Sequence, residues 1–256
     1  MANAPPDVAA LAALKYGDLS RCGWAPRLRD RFGYFTPDEW YEATLFDLVT
    51  PETDWLDVGC GRDLFPSNMP AATLLAARCR SLTGIDPSDN IDENPLLHHR
   101  AKCMLEEYVT DQRYDLITMR MVAEHIADPQ GAVAALRRLL KPGGQVVIYT
   151  VYKFAPVSVI STLTPMWVHH AVKSVMWEAD EKDTFPTEYK MNTRATLRRQ
   201  FAAAGMVETL FRPLDDTRVT SRFRSLNTLE LLAWRALHAC GIVYPEHCLL
   251  GVYTLP

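Results

Sequence analysis

Asp57-Val58-Gly59-Cys60-Gly61 and, 25 residues past Gly61, Asp86 are the residues whose types and spacing best suit holding a ligand. Gly59 and Gly61 can take positive φ, and without Cβ atoms they let a ligand lie against the backbone. An acid at the end of the next strand can accept hydrogen bonds from ribose hydroxyls with both carboxylate oxygens. A pyrophosphate loop needs a third small residue close behind. Here Phe65-Pro66 stand nearby, and no glycine follows until Gly84. The turn therefore suits a smaller, zwitterionic group better than a pyrophosphate.

Such residues work at the carboxyl ends of parallel strands, where open α/β sheets bind ligands. The apolar runs predict strands over Trp55–Val58, Leu82–Ile85, Ala101–Leu105, Tyr114–Met119 and Gln145–Thr150. Helices are expected over Ala71–Arg80 and Pro129–Leu140, the second stopped by Lys141-Pro142-Gly143-Gly144. Ahead of them, Thr36-Pro37-Asp38-Glu39 reads as a capping box opening a helix to about Leu48. After residue 150 the alternation thins. A helix over Thr193–Ala204, strands over Val207–Phe211 and Cys248–Thr254, and an apolar helix over Leu229–Cys240 complete the pattern.

The chain has 256 residues, 48% hydrophobic and 23% charged, enough for one buried core with an appended lid. A net charge of −4 and no basic stripe argue against a nucleic-acid partner. Six scattered cysteines without a C-x-x-C pair fit a reducing compartment. The first residues lack the pattern of a signal peptide, and no apolar run is long enough to span a bilayer. A cytoplasmic protein is expected, as monomer or homodimer, with surface contact to a membrane left open.

Four segments together resemble the class I S-adenosylmethionine (SAM)-dependent methyltransferase family: Leu56–Gly61, Tyr114-Asp115-Leu116-Ile117, Val122–Pro129 and Leu139–Gln145. The similarity is strong over residues 53–150 and looser over 190–256. It implies a doubly wound α/β sheet of seven strands, the last pair antiparallel, with helices on both faces. It also implies a helical cap over residues 1–50, a methyltransferase domain over 51–256, and substrate-covering insertions at 151–192 (after strand five) and 213–246.

The resemblance further implies that Gly59, Cys60 and Gly61 form the loop under the methionine part of SAM, that Asp57 orients that loop and the amino group, and that Asp86 accepts the ribose hydroxyls. Relatives usually carry an Asp and a small residue at the end of strand three. This chain has Met104-Leu105-Glu106 there, so Leu105 and Glu106 are the candidates for packing on the adenine and taking its amine. Arg120 is unusual at its position. It could bind a carboxylate of substrate or cofactor, or pair with an acid of the protein.

A sulfonium needs little activation of its methyl group, so the protein must align a nucleophile and exclude water. A hydroxyl acceptor benefits from a base near neutral pKa, which makes His125 the candidate; a structural role for it stays open. Tyr34 and Tyr41 could cover cofactor and substrate or simply pack a helix face. His169, His170 and Tyr189 are candidates for lining the acceptor. No His, Cys, Asp and Glu grouping has metal-ligand spacing, and no metal is expected. The expected activity is methylation of a small molecule, on oxygen before nitrogen or sulfur, in specialised metabolism or glycan modification. A non-catalytic SAM-binding protein is the alternative from another class.

Overall fold

In the computed structural model, residues 7–156, 185–242 and 244–256 are described. Three helices lead the chain: α1 (Val8–Tyr16), α2 (Trp24–Phe32) and α3 (Pro37–Leu48). The capping box at α3 is complete: Glu39 N donates to Thr36 Oγ1, and Thr36 N donates to Glu39 Oε2 at 2.8 Å. Then come β1 (Asp54–Val58), α4 (Met69–Arg78), β2 (Ser81–Ile85), β3 (His99–Ala101), β4 (Tyr114–Arg120), α5 (Pro129–Leu139) and β5 (Leu140–Val151). The chain closes with α6 (Arg194–Ala203), β6 (Val207–Asp215), α7 (Arg224–Ala239) and β7 (Glu246–Thr254).

The seven strands form one sheet in the order β3-β2-β1-β4-β5-β7-β6. The first five run parallel, and β7 is antiparallel to both β5 and β6. Strand alternation divides the core into two layers. Trp55 of β1 faces a layer built with Leu11 of α1, Tyr41 and Leu45 of α3 and Leu75 of α4. Leu56 and Val58 face a layer built with Val133 and Leu136 of α5 and Leu197 and Phe201 of α6. Helices therefore cover both faces, and α1 and α3 share the first layer with the sheet itself.

Strand three differs from its expected span. The sequence pattern put it at Ala101–Leu105, but pairing runs over His99–Ala101. It ends there because β2 ends at Ile85, and Asp86 N makes the last bond, to the Ala101 carbonyl, at 3.3 Å. The next residues form a tight turn, with Glu107 N bonded to Met104 O and Tyr108 N to Leu105 O. That early exit swings Leu105 and Glu106 across the end of β2. The stop after α5 lies within β5: Gly143 takes φ 79°, and the register with β4 shifts between Tyr114 and Leu116.

Candidate functional site

The carboxyl ends of β1, β2 and β4 surround a cavity of about 250 Å³. Gly59 and Gly61, Asp86 and Ser88, Leu105 and Glu106, and Val122, His125 and Ile126 all line it, with Phe185 at the rim. The two glycines have different reasons to be glycine. Gly59 (φ 69°) has no room, since a Cβ there would lie 2.3 Å from Val122 Cγ2. Gly61 (φ 48°) faces open space, with nothing within 4 Å of a Cβ position. The first is closed by protein, and the second leaves backbone bare for a ligand.

The turn is tied to β2. Gly59 N donates to the Ile85 carbonyl at 2.8 Å, and Gly61 N donates to Asp86 Oδ2 at 2.9 Å. The other Asp86 oxygen accepts from Ser88 N at 2.8 Å and Ser88 Oγ at 2.6 Å. The carboxylate is thus held at the cavity wall in one orientation. Cys60 belongs to the turn but not to the cavity wall. Its side chain is buried under β2, where a Cβ on Gly84 would come within 2.6 Å of Cys60 Sγ. Burial pushes that thiol well above the usual range, so it stays protonated.

Asp57 lies beneath the turn on the α3 side of the sheet. Its Oδ1 accepts from Thr118 Oγ1 at 2.5 Å, and Thr118 Oγ1 in turn accepts from Trp55 Nε1 at 2.8 Å. Burial raises the Asp57 carboxyl to about 7, against the opposing pull of the Thr118 hydrogen bond and the Arg120 charge. Arg120 ends β4 beside this group and does not line the cavity. Its guanidinium stands 3.6 Å from Asp38, a buried acid in the first turn of α3. Burial alone would raise Asp38, but Arg218 and Arg120 outweigh it and hold that carboxyl below its ordinary range.

His125 lies in the short helical turn Ala123–His125 after β4. Its Nδ1 is 3.0 Å from the Pro186 carbonyl oxygen. A carbonyl only accepts, so Nδ1 carries the proton and neutral His125 presents Nε2 as an acceptor. The segment holding it, residues 185–192, is pinned to the same turn. Glu188 N and Tyr189 N both donate to the Glu124 carbonyl, at 2.7 and 3.2 Å. The Glu124 carboxylate accepts from Thr150 Oγ1 at 2.7 Å, and Asn192 Nδ2 donates to that same Thr150 oxygen at 2.8 Å. Burial raises Glu124 above the usual carboxylate range.

Of the remaining sequence candidates, Tyr34, Tyr41 and Tyr189 lie apart from the cavity wall. Tyr41 is buried in the first core layer, stacked on Tyr149 at 5.1 Å. Tyr34 is also buried. Its hydroxyl donates to the Asp215 carbonyl at 2.9 Å and accepts from Thr217 N at 3.0 Å. Tyr41 therefore joins α3 to the sheet, and Tyr34, in the loop before α3, ties that loop to the end of β6 and the chain just after it. Tyr189 takes φ 50° in the pinned segment. His169 and His170, and most of the insertion expected at 151–192, lie outside the described residues.

Several wall residues were not singled out from the sequence as site residues. Val122 and Met121 look like ordinary apolar residues, yet Val122 closes on Gly59 and Met121 takes φ 52°. Positive φ in a non-glycine residue beside a cleft marks a constrained backbone. Ser88 was readable: an Asp two residues ahead of a Ser favours such a side-chain-to-backbone turn. Among the described residues, no group of three or more His, Cys, Asp or Glu is set to hold a metal, and no helix is long and apolar enough to cross a membrane.

The cavity's features fit an adenosyl cofactor carrying an amino acid: a fixed carboxylate, apolar walls at Ile85, Leu105 and Ile126, and the bare backbone of Gly61. A profile of the methyltransferase-domain family matches residues 37–207, more than half of the chain. Curated relatives include ubiquinone biosynthesis O-methyltransferases. That of Klebsiella pneumoniae is 33% identical over 106 residues, 38% of this chain and 41% of its own length. That of Aromatoleum aromaticum is 31% identical over 140 residues, 47% of this chain and 56% of its own length. The chain spans about half the length of the curated relatives it matches. Among solved structures, geranyl diphosphate C-methyltransferase from Streptomyces coelicolor, crystallised with S-adenosyl-L-homocysteine, superposes with a TM-score of 0.52. The identity is 14%, over 84% of this chain and 75% of that one, a likeness of fold alone. The strand order, the glycine turn with its acid at the end of β2, and the matching family profile agree: the chain belongs to the class I SAM-dependent methyltransferases.

Proposed function

We propose that this chain transfers a methyl group from SAM to an oxygen of a small molecule, with the cofactor in the cavity between Gly59, Asp86 and His125. Asp86 would take the ribose hydroxyls, Leu105 would pack on the adenine, and Glu106 would meet its amine. Gly59 and Gly61 would leave backbone exposed to the amino-acid end, with Asp57 supporting the turn. When bound, the cofactor supplies an electrophilic methyl on a sulfonium.

The observation that carries the oxygen assignment is His125 at the cavity wall with Nδ1 fixed on the Pro186 carbonyl. That bond leaves Nε2 as the proton acceptor. A hydroxyl acceptor gains from giving its proton to such a group as the new carbon–oxygen bond forms. Val122, Ile126 and Phe185 would shield the site from water. The relatives named for ubiquinone biosynthesis O-methylation support the same acceptor atom; they lend no support to specialised metabolism or glycans as the setting.

The test is turnover with methyl-labelled SAM and a panel of phenols, amines and thiols, read as S-adenosylhomocysteine release and labelled product. Label is expected on oxygen. Label on nitrogen or sulfur alone would overturn the oxygen assignment. Cofactor binding without turnover on any acceptor would favour a non-catalytic protein.

A further inference from the structure

The connection between β6 and β7 carries an apolar row on its outer side. Helix α7 turns Asn227, Leu231 and Trp234 inward. Asn227 Nδ2 donates to the Thr217 carbonyl at 2.7 Å, Leu231 is fully buried, and Trp234 Nε1 donates to Asp215 Oδ2 at 2.7 Å. By helical spacing the opposite face carries Leu226, Leu229, Leu232, Ala233 and Ala236, and all five are exposed. Phe223 just before the helix and Ile242 just after it are exposed as well. The large side chains of this row leave between 48% (Leu226) and 63% (Leu229) of their surface open. Single exposed leucines are ordinary, but a contiguous row of them marks an interaction surface.

The charge around the row is opposite in sign to that of the chain. From Thr217 to Pro245 there are four arginines and one acid, Glu230. Arg218 is engaged by Asp38 and Asp216, and Glu230 accepts from the Tyr244 hydroxyl at 2.9 Å. Arg222, Arg224 and Arg235 are exposed, and all are basic. Helix α2 packs beside α7 and adds exposed Arg27 and Arg31, with Asp30 as its one exposed acid. The whole chain carries −4. A cationic rim around bare leucines complements a surface that is anionic on top and apolar beneath. The position fits too. Val151 at the end of β5 and Leu214 near the end of β6 both pair with Cys248 of β7. The connection holding α7 therefore lies at the carboxyl end of the parallel strands, the end where the cleft opens.

We propose that the outward face of α7 docks on an anionic phospholipid bilayer. Its leucines enter the boundary below the headgroups, and Arg222, Arg224 and Arg235 meet the phosphates. A single helix face is a ridge, and a ridge seats in the plane of a lipid surface without a matching groove. Docking there holds the cleft end of the sheet beside the membrane.

Flotation of the full chain with vesicles tests this. The chain is expected to float with mixed phosphatidylglycerol–phosphatidylcholine vesicles, less so as salt rises, and at least about 10-fold less with phosphatidylcholine alone. Arg224→Glu with Arg235→Glu should lower binding to the anionic vesicles by roughly 25-fold or more, about five-fold for each arginine lost. Leu229→Asp with Leu232→Asp should reduce it to the phosphatidylcholine level. Val109→Asp, at a residue 85% exposed in the loop leading into β4, should change nothing. All these positions are exposed, so the thermal midpoints should hold; the two α7 pairs are independent, and either one decides if the other fails to fold. No flotation of wild type with anionic vesicles overturns the proposal, and so does flotation that survives both pairs. Wild type that ignores vesicles and self-associates through Leu229 and Leu232 in sedimentation velocity also overturns it, and gives the face to a second copy of the chain.

Discussion

On the turn side of the cleft, the polar contacts of Asp86 join residues close in the chain: Gly61 at 25 residues and Ser88 at two. On the side covered by α3 and the chain after β5, they join distant ones. Tyr34 bonds Asp215 and Thr217 across 181 and 183 residues, and Arg218 reaches Asp38 across 180. The first arrangement forms with a single β-α-β unit, β1-α4-β2. The second exists only when α3, β6 and the segment after it are all in position. Changes on the turn side should therefore act on ligand affinity, and changes on the far side should act on stability with cofactor affinity spared.

His125 joins the two regions, because it lines the cavity while Pro186 fixes its ring. His125→Ala should give the largest effect, a loss of roughly 10²- to 10⁴-fold in turnover with unchanged S-adenosylhomocysteine affinity. Turnover at the wild-type rate would remove the base. Next comes Asp86→Ala, which should weaken S-adenosylhomocysteine by about 1.5–3 kcal/mol, the range for hydrogen bonds to a charged group. A loss of stability without a loss of affinity would break the contrast.

Tyr34→Phe tests the far side. It leaves the Asp215 carbonyl and Thr217 N without their partner and should cost about 1–3 kcal/mol in denaturant unfolding. Cofactor affinity should not move. If it falls, the cover reaches the cofactor more directly than the contacts indicate.

The smallest effect concerns pH. The folded-state carboxyl of Asp57 is raised to about 7, above its unfolded value near 4, so the native state holds the proton more tightly. Its contribution to stability is fully present below about pH 4 and is lost as pH rises toward 7. Glu42, also raised to about 7 by burial, acts in the same direction. Asp57→Asn should therefore flatten the decline in thermal midpoint between pH 5 and 7.5 without abolishing it. An unchanged slope would show that Asp57 titrates normally.

The same contrast decides what could be read from sequence. The turn and Asp86 were legible because a strand, two glycines and a second strand end lie within 30 residues or so, and local chemistry fixes them. The α3 capping box was legible for the same reason. Residues 101–105 misled because Ala101, Cys103 and Leu105 alternate like a strand, whereas Cys103 and Leu105 are apolar as walls of the cavity. The aromatic residues ahead of β1 left two readings open. Tyr34 and Tyr41 turn out to be packed, with partners at Tyr149, Asp215 and Thr217 that no local pattern reveals. Arg120 looked unusual, but the acid it faces belongs to α3, more than 80 residues earlier.

The most direct test of the cofactor site is a crystal structure of the chain with S-adenosylhomocysteine. The account predicts the ribose hydroxyls on Asp86, the adenine against Leu105 and Ile126, and the amino-acid end over Gly61. Ligand bound elsewhere, or a ribose that does not touch Asp86, would contradict it.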